Sequence, residues 1–597
     1  MLKRLQGSFS HAPRTLALVY KASPGGTIAL SALTLVAALV PLAIAYVGKA
    51  IVDAVVAHDG ATTARLVALE LALVGTQSLV TRVNGFVRSQ LGARLGIDVN
   101  VTILEKALTM SLAHFEDAEY YDQLTRARRE ASSRPISVVA GIFSLVQNAI
   151  TLAGYIALLV KFSALAVVAL VVASVPATVA EVKFSGAAFR MKNWRSQDTR
   201  KLNYLEYVLA NDAHAKEVKL LGIGPILLER FKALAEAFYA EDKKLSARRS
   251  TWGYLLSLIG TLAFYGCYAL MAIAAAAGEL ALGTMVLYVA AFRQGQSAFQ
   301  AILSAVSGMY EDNLYMSNLF AFLALPSDDP TLVAQAPRAG LAAPEAFRGV
   351  VFEDVGFRYP GSEAWAVRHV DMKVPHGERI ALVGHNGAGK TTLIKLLTRL
   401  YAPTEGRILL DGRDLAEWDR AELHARFGVV FQDFNQYQLS ARENVGFGSA
   451  PHVGDDDRLA RAIDRGGATP VVEKLTKGLD TQLGRWFKDG AELSGGQWQK
   501  VALARAFMRE EADMLVLDEP TAALDAEAEH AVFERFHELA AGRTTVVISH
   551  RFPTVRMADR ILVLEKGEIV EEGSHDALVA QKGLYAKLFD LQAQGYQ

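Results

Sequence analysis

The residues best suited to chemistry begin at Gly384, where Gly384-His385-Asn386-Gly387-Ala388-Gly389-Lys390-Thr391 follows the β-rich run "ERIALV" and precedes a helical pattern. This strand, glycine-rich loop and helix satisfy the P-loop template, in which backbone N–H groups close around phosphates. Lys390 is placed to reach the β- and γ-phosphates and the Thr391 hydroxyl to ligate Mg²⁺. About 130 residues on, "DMLVLDEP" reads as a buried strand ending in two carboxylates. Asp518 suits holding Mg²⁺, directly or through water, and Glu519 suits polarising an attacking water. "TTVVISH" repeats the design and ends in His550, which is expected to contact the γ-phosphate. Gln432 in "VVFQDF" is a candidate for the Mg²⁺ shell, and Tyr359 in "FRYPG" offers a ring for adenine. Taken alone, each of these two is better read as an ordinary structural residue.

A second anion binder stands out in "AELSGGQWQKVALARA", residues 491–506. Leu493-Ser494-Gly495-Gly496-Gln497 opens a helical pattern with a small hydroxyl and two glycines, where free N–H groups and the helix dipole favour an anion. The phosphate loop already lies a hundred residues earlier, so a second binder in one domain needs an explanation.

The elements that must position these groups divide the chain in two. From about residue 349 to 597, β-rich and helical runs alternate, which indicates an α/β P-loop domain. Residues 325–348, punctuated by Pro326, Pro330, Pro337 and Pro344, read as a linker. Residues 1–324 are dominated by apolar stretches of bilayer length, roughly 20 residues each. Six spans are expected near 26–47, 66–88, 136–160, 163–184, 252–278 and 283–305. The second is interrupted by Glu70, Gln77, Arg82 and Asn84. Connections after the second and fourth spans are long and basic, whereas those after the first, third and fifth carry few cations. The positive-inside bias then places both termini in the cytoplasm. The basic connections read as helices continuing out of the membrane, each broken by a short helix, at "HFEDAEYYD" (114–122) and "NDAHAKEVKLLG" (211–222). Solvated amphipathic segments are the competing reading.

Bulk composition agrees with a membrane protein. The 597 residues are 51% hydrophobic and carry a formal net charge of −1, which gives no reason to expect a nucleic-acid partner. A single cysteine, Cys267, excludes an intrachain disulfide and fits a cytoplasmic or inner-membrane setting. No cleavable signal is evident, and no peptidase domain is expected ahead of the first span.

In the order Tyr359, P-loop, Gln432, Leu493–Gln497, Asp518–Glu519, "AALD" (522–525) and His550, the chain resembles the ATP-binding cassette (ABC) transporters. Six spans fused ahead of one cassette resemble a half-transporter of the exporter fold. The resemblance implies an ATP hydrolase coupled to transport, with ATP and Mg²⁺ bound at Gly384 through Thr391, Thr392 and Tyr359. It also implies that Ser494, Gly495, Gly496 and Gln497 act on the nucleotide of a partner chain, with Asp525 at the shared interface. That accounts for the second anion binder. Glu519 and His550 are both present, so two competent sites in a homodimer are expected.

Two departures stand out. Exporters of this fold carry a "VGERG"-like stretch before the signature, where this chain has "LGRWFKDG" (483–490), and Trp498 replaces a basic residue. This texture is similar to exporters of lanthipeptides and related ribosomal peptides; aromatics merely packed under a loop are the alternative. In the sixth span Arg293, Gln296 and Gln300 share one helical face, about 15 Å along from Gly283, and are expected to line a cargo pathway. Interhelical polar packing competes. Peptide cargo is weighed against lipids and amphipathic drugs, and export against an importer or an ATP-gated channel or sensor.

Overall fold

In a computed structural model of the chain, the described residues are 11–130, 134–160, scattered positions between 161 and 194, 195–326, 347–520, 542–549 and 551–595. They form two compact units, Met1–Leu108 with Glu119–Leu325, and Thr109–Ala118 with Pro326–Gln597.

The first unit is helical. Ser23 caps the helix Pro24–Val56 by accepting from the Gly26 amide at 3.2 Å, and Pro24 at the first position costs no hydrogen bond. At 33 residues this helix is about 50 Å long, more than the roughly 30 Å of a hydrocarbon core. Gly60–Leu108 and Gly224–Ala276 run 49 and 53 residues without a break. The expectation that basic connections continue as helix is met there: residues 224–250 are charged and the same helix turns apolar from Trp252. Among the described residues four helices are long and apolar enough to cross a membrane: Pro24–Val56, Gly60–Leu108, Arg134–Val160 and Gly224–Ala276. The expected fourth span, 163–184, falls largely outside the described residues. The expected sixth lies in the helix Leu282–Leu323, whose hydropathy Arg293, Gln294, Gln296 and Gln300 depress. Leu71, Leu79, Leu262 and Ile273 stand exposed on these helices, an apolar outer surface suited to lipid. Inside, Tyr155, Leu158 and Leu159 pack with Leu287, Ala291 and Phe292.

The two short helices fall at Leu112–Glu116 and Asp212–Leu220. The first corrects the expected 114–122: it starts earlier, directly after Ser111 in extended angles (φ −75°, ψ 163°), and stops earlier because Asp117 takes extended angles (φ −87°, ψ 123°) before helix resumes at Ala118. The second begins where the Asn211 side chain accepts from the Ala213 amide at 2.9 Å. Of the expected linker, residues 327–346 lie outside the described residues.

The second unit carries two sheets. Strands β1 (Gly349–Phe357), β2 (Val367–Pro375), β4 (Glu405–Leu410) and β5 (Arg413–Asp414) form an antiparallel sheet in the order β2-β1-β4-β5. The other contains β3 (Arg379–Gly384), β6 (Phe427–Val430), β7 (Met514–Asp518), β8 (Thr544–Ile548), β9 (Arg560–Glu565) and β10 (Glu568–Gly573). Its order is β10-β9-β3-β8-β7-β6, parallel except for the β10 edge. β3 and β7 are apolar along almost their whole length and buried on both faces, as parallel strands between layers must be. Val350, Phe352, Ile380, Leu382, Leu393, Val516 and Ile548 share the core that joins the sheets to the helix Lys390–Leu397. Because β3, β6, β7 and β8 run in one direction, their C-terminal ends open on one edge, where ligands of such sheets gather.

Candidate active site

At that edge β3 ends in Gly384 and the loop 385–389 leads into the helix Lys390–Leu397. Gly389 caps this helix at φ 102°; a Cβ there would lie 2.5 Å from Val367 Cγ1 and 2.8 Å from the Ala366 carbonyl, so only glycine fits. His385, Asn386 and Gly387 are exposed while Ala388 is buried, which turns the loop's middle outward. Lys390 is buried, and its Nζ donates to the Gly384 carbonyl at 2.8 Å and the His385 carbonyl at 3.0 Å. Burial lowers the Lys390 pKa, and the charges of Glu519 and Asp518 oppose it.

β7 delivers Asp518, 1% exposed, whose Oδ2 accepts from the Thr391 hydroxyl at 2.9 Å. Burial raises the Asp518 pKa; the Thr391 bond works against this and the Glu519 charge adds to it. Glu519 follows at φ 49°, a left-handed conformation rare for a residue with a side chain, with its amide bonded to the Ile548 carbonyl of β8 at 2.9 Å. Gln432, just past β6, donates from Nε2 to Glu519 Oε2 at 2.9 Å. The expected P-loop threonine, the two carboxylates and the glutamine therefore converge. Tyr359 bonds through its hydroxyl to Thr392 Oγ1 at 3.1 Å, and its ring meets Phe357 and Tyr401 edge-on. His550 and Asp525 lie outside the described residues.

The signature opens the helix Gly495–Phe507 through a reciprocal cap. Ser494 Oγ accepts from the Gln497 amide at 3.3 Å, and Gln497 Oε1 accepts from the Ser494 amide at 2.8 Å. Ser494 and Gly495 are exposed, Gly496 is half-buried, and the far side of the helix, with Trp498, Val501 and Leu503, is core. Trp498 thus replaces a basic residue with a packing one. Trp486 and Phe487 are 80% and 50% exposed in the preceding loop, so the reading that they pack beneath it does not hold. In the helical unit Arg293 and Gln300 are exposed and Gln296 half-buried.

Sequence reasoning missed Glu116, whose carboxylate accepts from Lys395 Nζ at 3.0 Å and from the Tyr401 hydroxyl. The partners are separated by 279 and 285 residues, and no local pattern joins them.

A phosphate loop, paired carboxylates at the end of one parallel strand and a separate glycine-opened helix, carried on a chain with long apolar helices, define a membrane transporter driven by ATP. Residues 367–522 match the ABC transporter family, and the chain belongs to it. It is similar to the subtilin transport ATP-binding protein SpaT of Bacillus subtilis, 30% identical over 594 residues, 98% of this chain and 95% of that one. The nisin transport ATP-binding protein NisT of Lactococcus lactis subsp. lactis is 27% identical, covering 97% and 95%. An ATP-dependent lipid A-core flippase of Vibrio vulnificus is 28% identical over 88% of each chain. Among solved structures, a bacterial Atm1-family ABC exporter with ATP bound matches at a TM-score of 0.79 with 25% identity, over 97% of this chain and 99% of that one. The protein is an ATP-driven ABC exporter of the membrane, a helical domain fused to one cassette, and it couples ATP hydrolysis to transport.

Proposed function

We propose that this exporter moves an amphipathic cargo, a ribosomally made peptide, out across the cytoplasmic membrane, with both termini and the cassette on the cytoplasmic side. The observation that carries the cargo is the match along nearly the whole chain to proteins named for subtilin and nisin transport. The match over 88% of the chain to a lipid A-core flippase supports a second reading, a lipid cargo.

Two copies pair their cassettes, and each ATP lies between one copy's Gly384–Thr392 and the other's Ser494–Gln497. The outward-facing, buried-backed signature cap supports this: the cap engages the Ser494 and Gln497 amides, and the Gly495 and Gly496 amides between them lie at the helix N-terminus, where an anion is favoured. Lys390, released from its own loop's carbonyls, takes up the β- and γ-phosphates. The Thr391 hydroxyl, the Asp518 carboxylate and the Gln432 amide are hard oxygen donors that fit Mg²⁺, which would neutralise phosphate charge when bound. Glu519 orients and polarises the attacking water, His550 contacts the γ-phosphate, and Asp525 lies at the shared interface. Tyr359 stacks on adenine. ATP stabilises only the paired state, so its binding and loss drive alternating access. In the helical domain, Arg293, Gln296 and Gln300 line the pathway.

The test is ATP-dependent uptake into inside-out vesicles holding the full chain. Subtilin or nisin, used as the probe peptide, should accumulate inside and stimulate hydrolysis. Stimulation by lipid A instead, with no peptide accumulation, would overturn the peptide reading in favour of the flippase.

A further inference from the structure

The segment Thr109–Ala118 groups with the cassette, although the chain on both sides of it belongs to the helical unit. Leu112 and Ala113 rest against the cassette's main core. Glu116 ends this short helix and grips two residues at once: its Oε1 accepts from Lys395 Nζ at 3.0 Å, and its Oε2 accepts from the Tyr401 hydroxyl. Both partners belong to the helix that follows the phosphate loop or to the turn that ends it. Lys395 lies within Lys390–Leu397, and its carbonyl accepts from the amides of Leu400 and Tyr401, which fixes the turn carrying Tyr401.

The grip continues to Tyr359. The Lys395 ammonium lies 5.3 Å from the centroid of the Tyr359 ring and 5.6 Å from that of Tyr401. The Tyr359 and Tyr401 rings meet edge-on at 5.4 Å, and the Tyr359 hydroxyl is bonded to Thr392 one turn before Lys395. Tyr401 is 1% exposed, so its ring is held by the core on which this corner is built. Desolvation opposes charge on both Glu116 and Lys395. The hydrogen bonds between them and from Tyr401 outweigh it, so the Glu116 pKa is lowered and that of Lys395 raised, and the pair stays ionised.

We propose that Glu116 is a positioning residue for nucleotide recognition: through Lys395 and Tyr401 it sets the Tyr359 ring, so that affinity for the base depends on whether the 109–118 segment is seated. The inference rests on the reading of Tyr359 as the adenine platform and deepens it. The segment follows the long helix Gly60–Leu108 directly and runs into the helix Ala118–Glu130, the chain on both sides belonging to the membrane unit.

The test uses the full chain in nanodiscs and two probes, ATP and tripolyphosphate, which carries the phosphates without the base. Glu116→Gln keeps the side chain's size and removes its charge. It should raise KM for ATP about tenfold, the usual effect of losing one charge-assisted hydrogen bond, with kcat kept. Its affinity for tripolyphosphate should stay at the wild-type value. Lys395→Met should do the same from the other side of the joint. In a Tyr359→Ala background, Glu116→Gln should have no further effect. Equal weakening of ATP and tripolyphosphate, or an undiminished effect in that background, would overturn the proposal. If Tyr359→Ala weakens ATP while Glu116→Gln does not, only the relay falls. If Tyr359→Ala leaves ATP affinity unchanged, the adenine platform itself falls.

Discussion

Glu519 holds its carboxylate beside Gln432 and on the edge where Thr391 and Asp518 meet, and the proposed water-polarising role requires its charge for turnover but not for binding. Glu519→Gln should keep ATP affinity and lose hydrolysis by about 10²–10⁴-fold, the usual cost of a general base, while a paired-cassette species accumulates on native gels. Fast hydrolysis by that variant would remove Glu519 from the role. Lys390→Ala should instead weaken ATP binding, read by nucleotide fluorescence, because an ammonium held by two loop carbonyls is ready to exchange them for phosphate. At this scale the sequence was most legible where chemistry is local. The P-loop and the Asp518–Glu519 pair declare themselves by residue type within eight positions. The Thr391–Asp518 contact joins residues 127 apart and could be expected only from strand order. The tie from Glu116 to Lys395 carries no signature at either end, since an acid on a polar helix and a lysine one turn past a phosphate loop are both ordinary.

Among the elements, the signature helix has two duties at its first residue. Ser494→Ala removes the side-chain half of the cap and should cost about 0.5–2 kcal/mol of cassette stability, seen as a lowered unfolding temperature; Ser494→Thr restores a cap and should recover most of it. The back of the same helix is pressed against the turn after Asp456–Arg465. A Cβ on Gly466 would lie 2.4 Å from the backbone nitrogen of Ala504. Gly466→Ala must therefore displace the helix and should cost about 1–3 kcal/mol, again by thermal unfolding, with activity falling because Ser494 moves with it. The strands β3, β7 and β8 were readable as unbroken β-branched and apolar runs, which follows from burial on both faces. The antiparallel sheet β2-β1-β4-β5 was not anticipated, because its strands pair at long range and alternate less cleanly. The first short helix begins two residues before the expected start and ends at Glu116, since its limits depend on the extended backbone of Ser111 and Asp117 rather than on any helix-breaking residue.

For the molecule as a whole, the proposed composite site makes a kinetic demand. At low concentration in detergent the rate per chain should rise with chain concentration, and a forced monomer should run at least about 100-fold slower, as when a single transition-state donor is lost. Full activity from a monomer would end the composite-site reading. Arg293 stands exposed on its helix within a single chain. Arg293→Ala should abolish cargo stimulation of hydrolysis while leaving the basal rate in place; intact stimulation would take it out of the pathway. The division into a lipid-facing and an ATP-binding half was legible from hydropathy and proline punctuation, whereas the assignment of residues 109–118 to the second half was not.

That borrowed decapeptide has a practical corollary. Anyone producing the ATP-binding half by itself, from residue 349 onward, would strip Leu112 and Ala113 from the apolar ground they cover. The truncated product should be prone to precipitate, and a synthetic peptide spanning 109–118, added in stoichiometric amount, should keep it in solution.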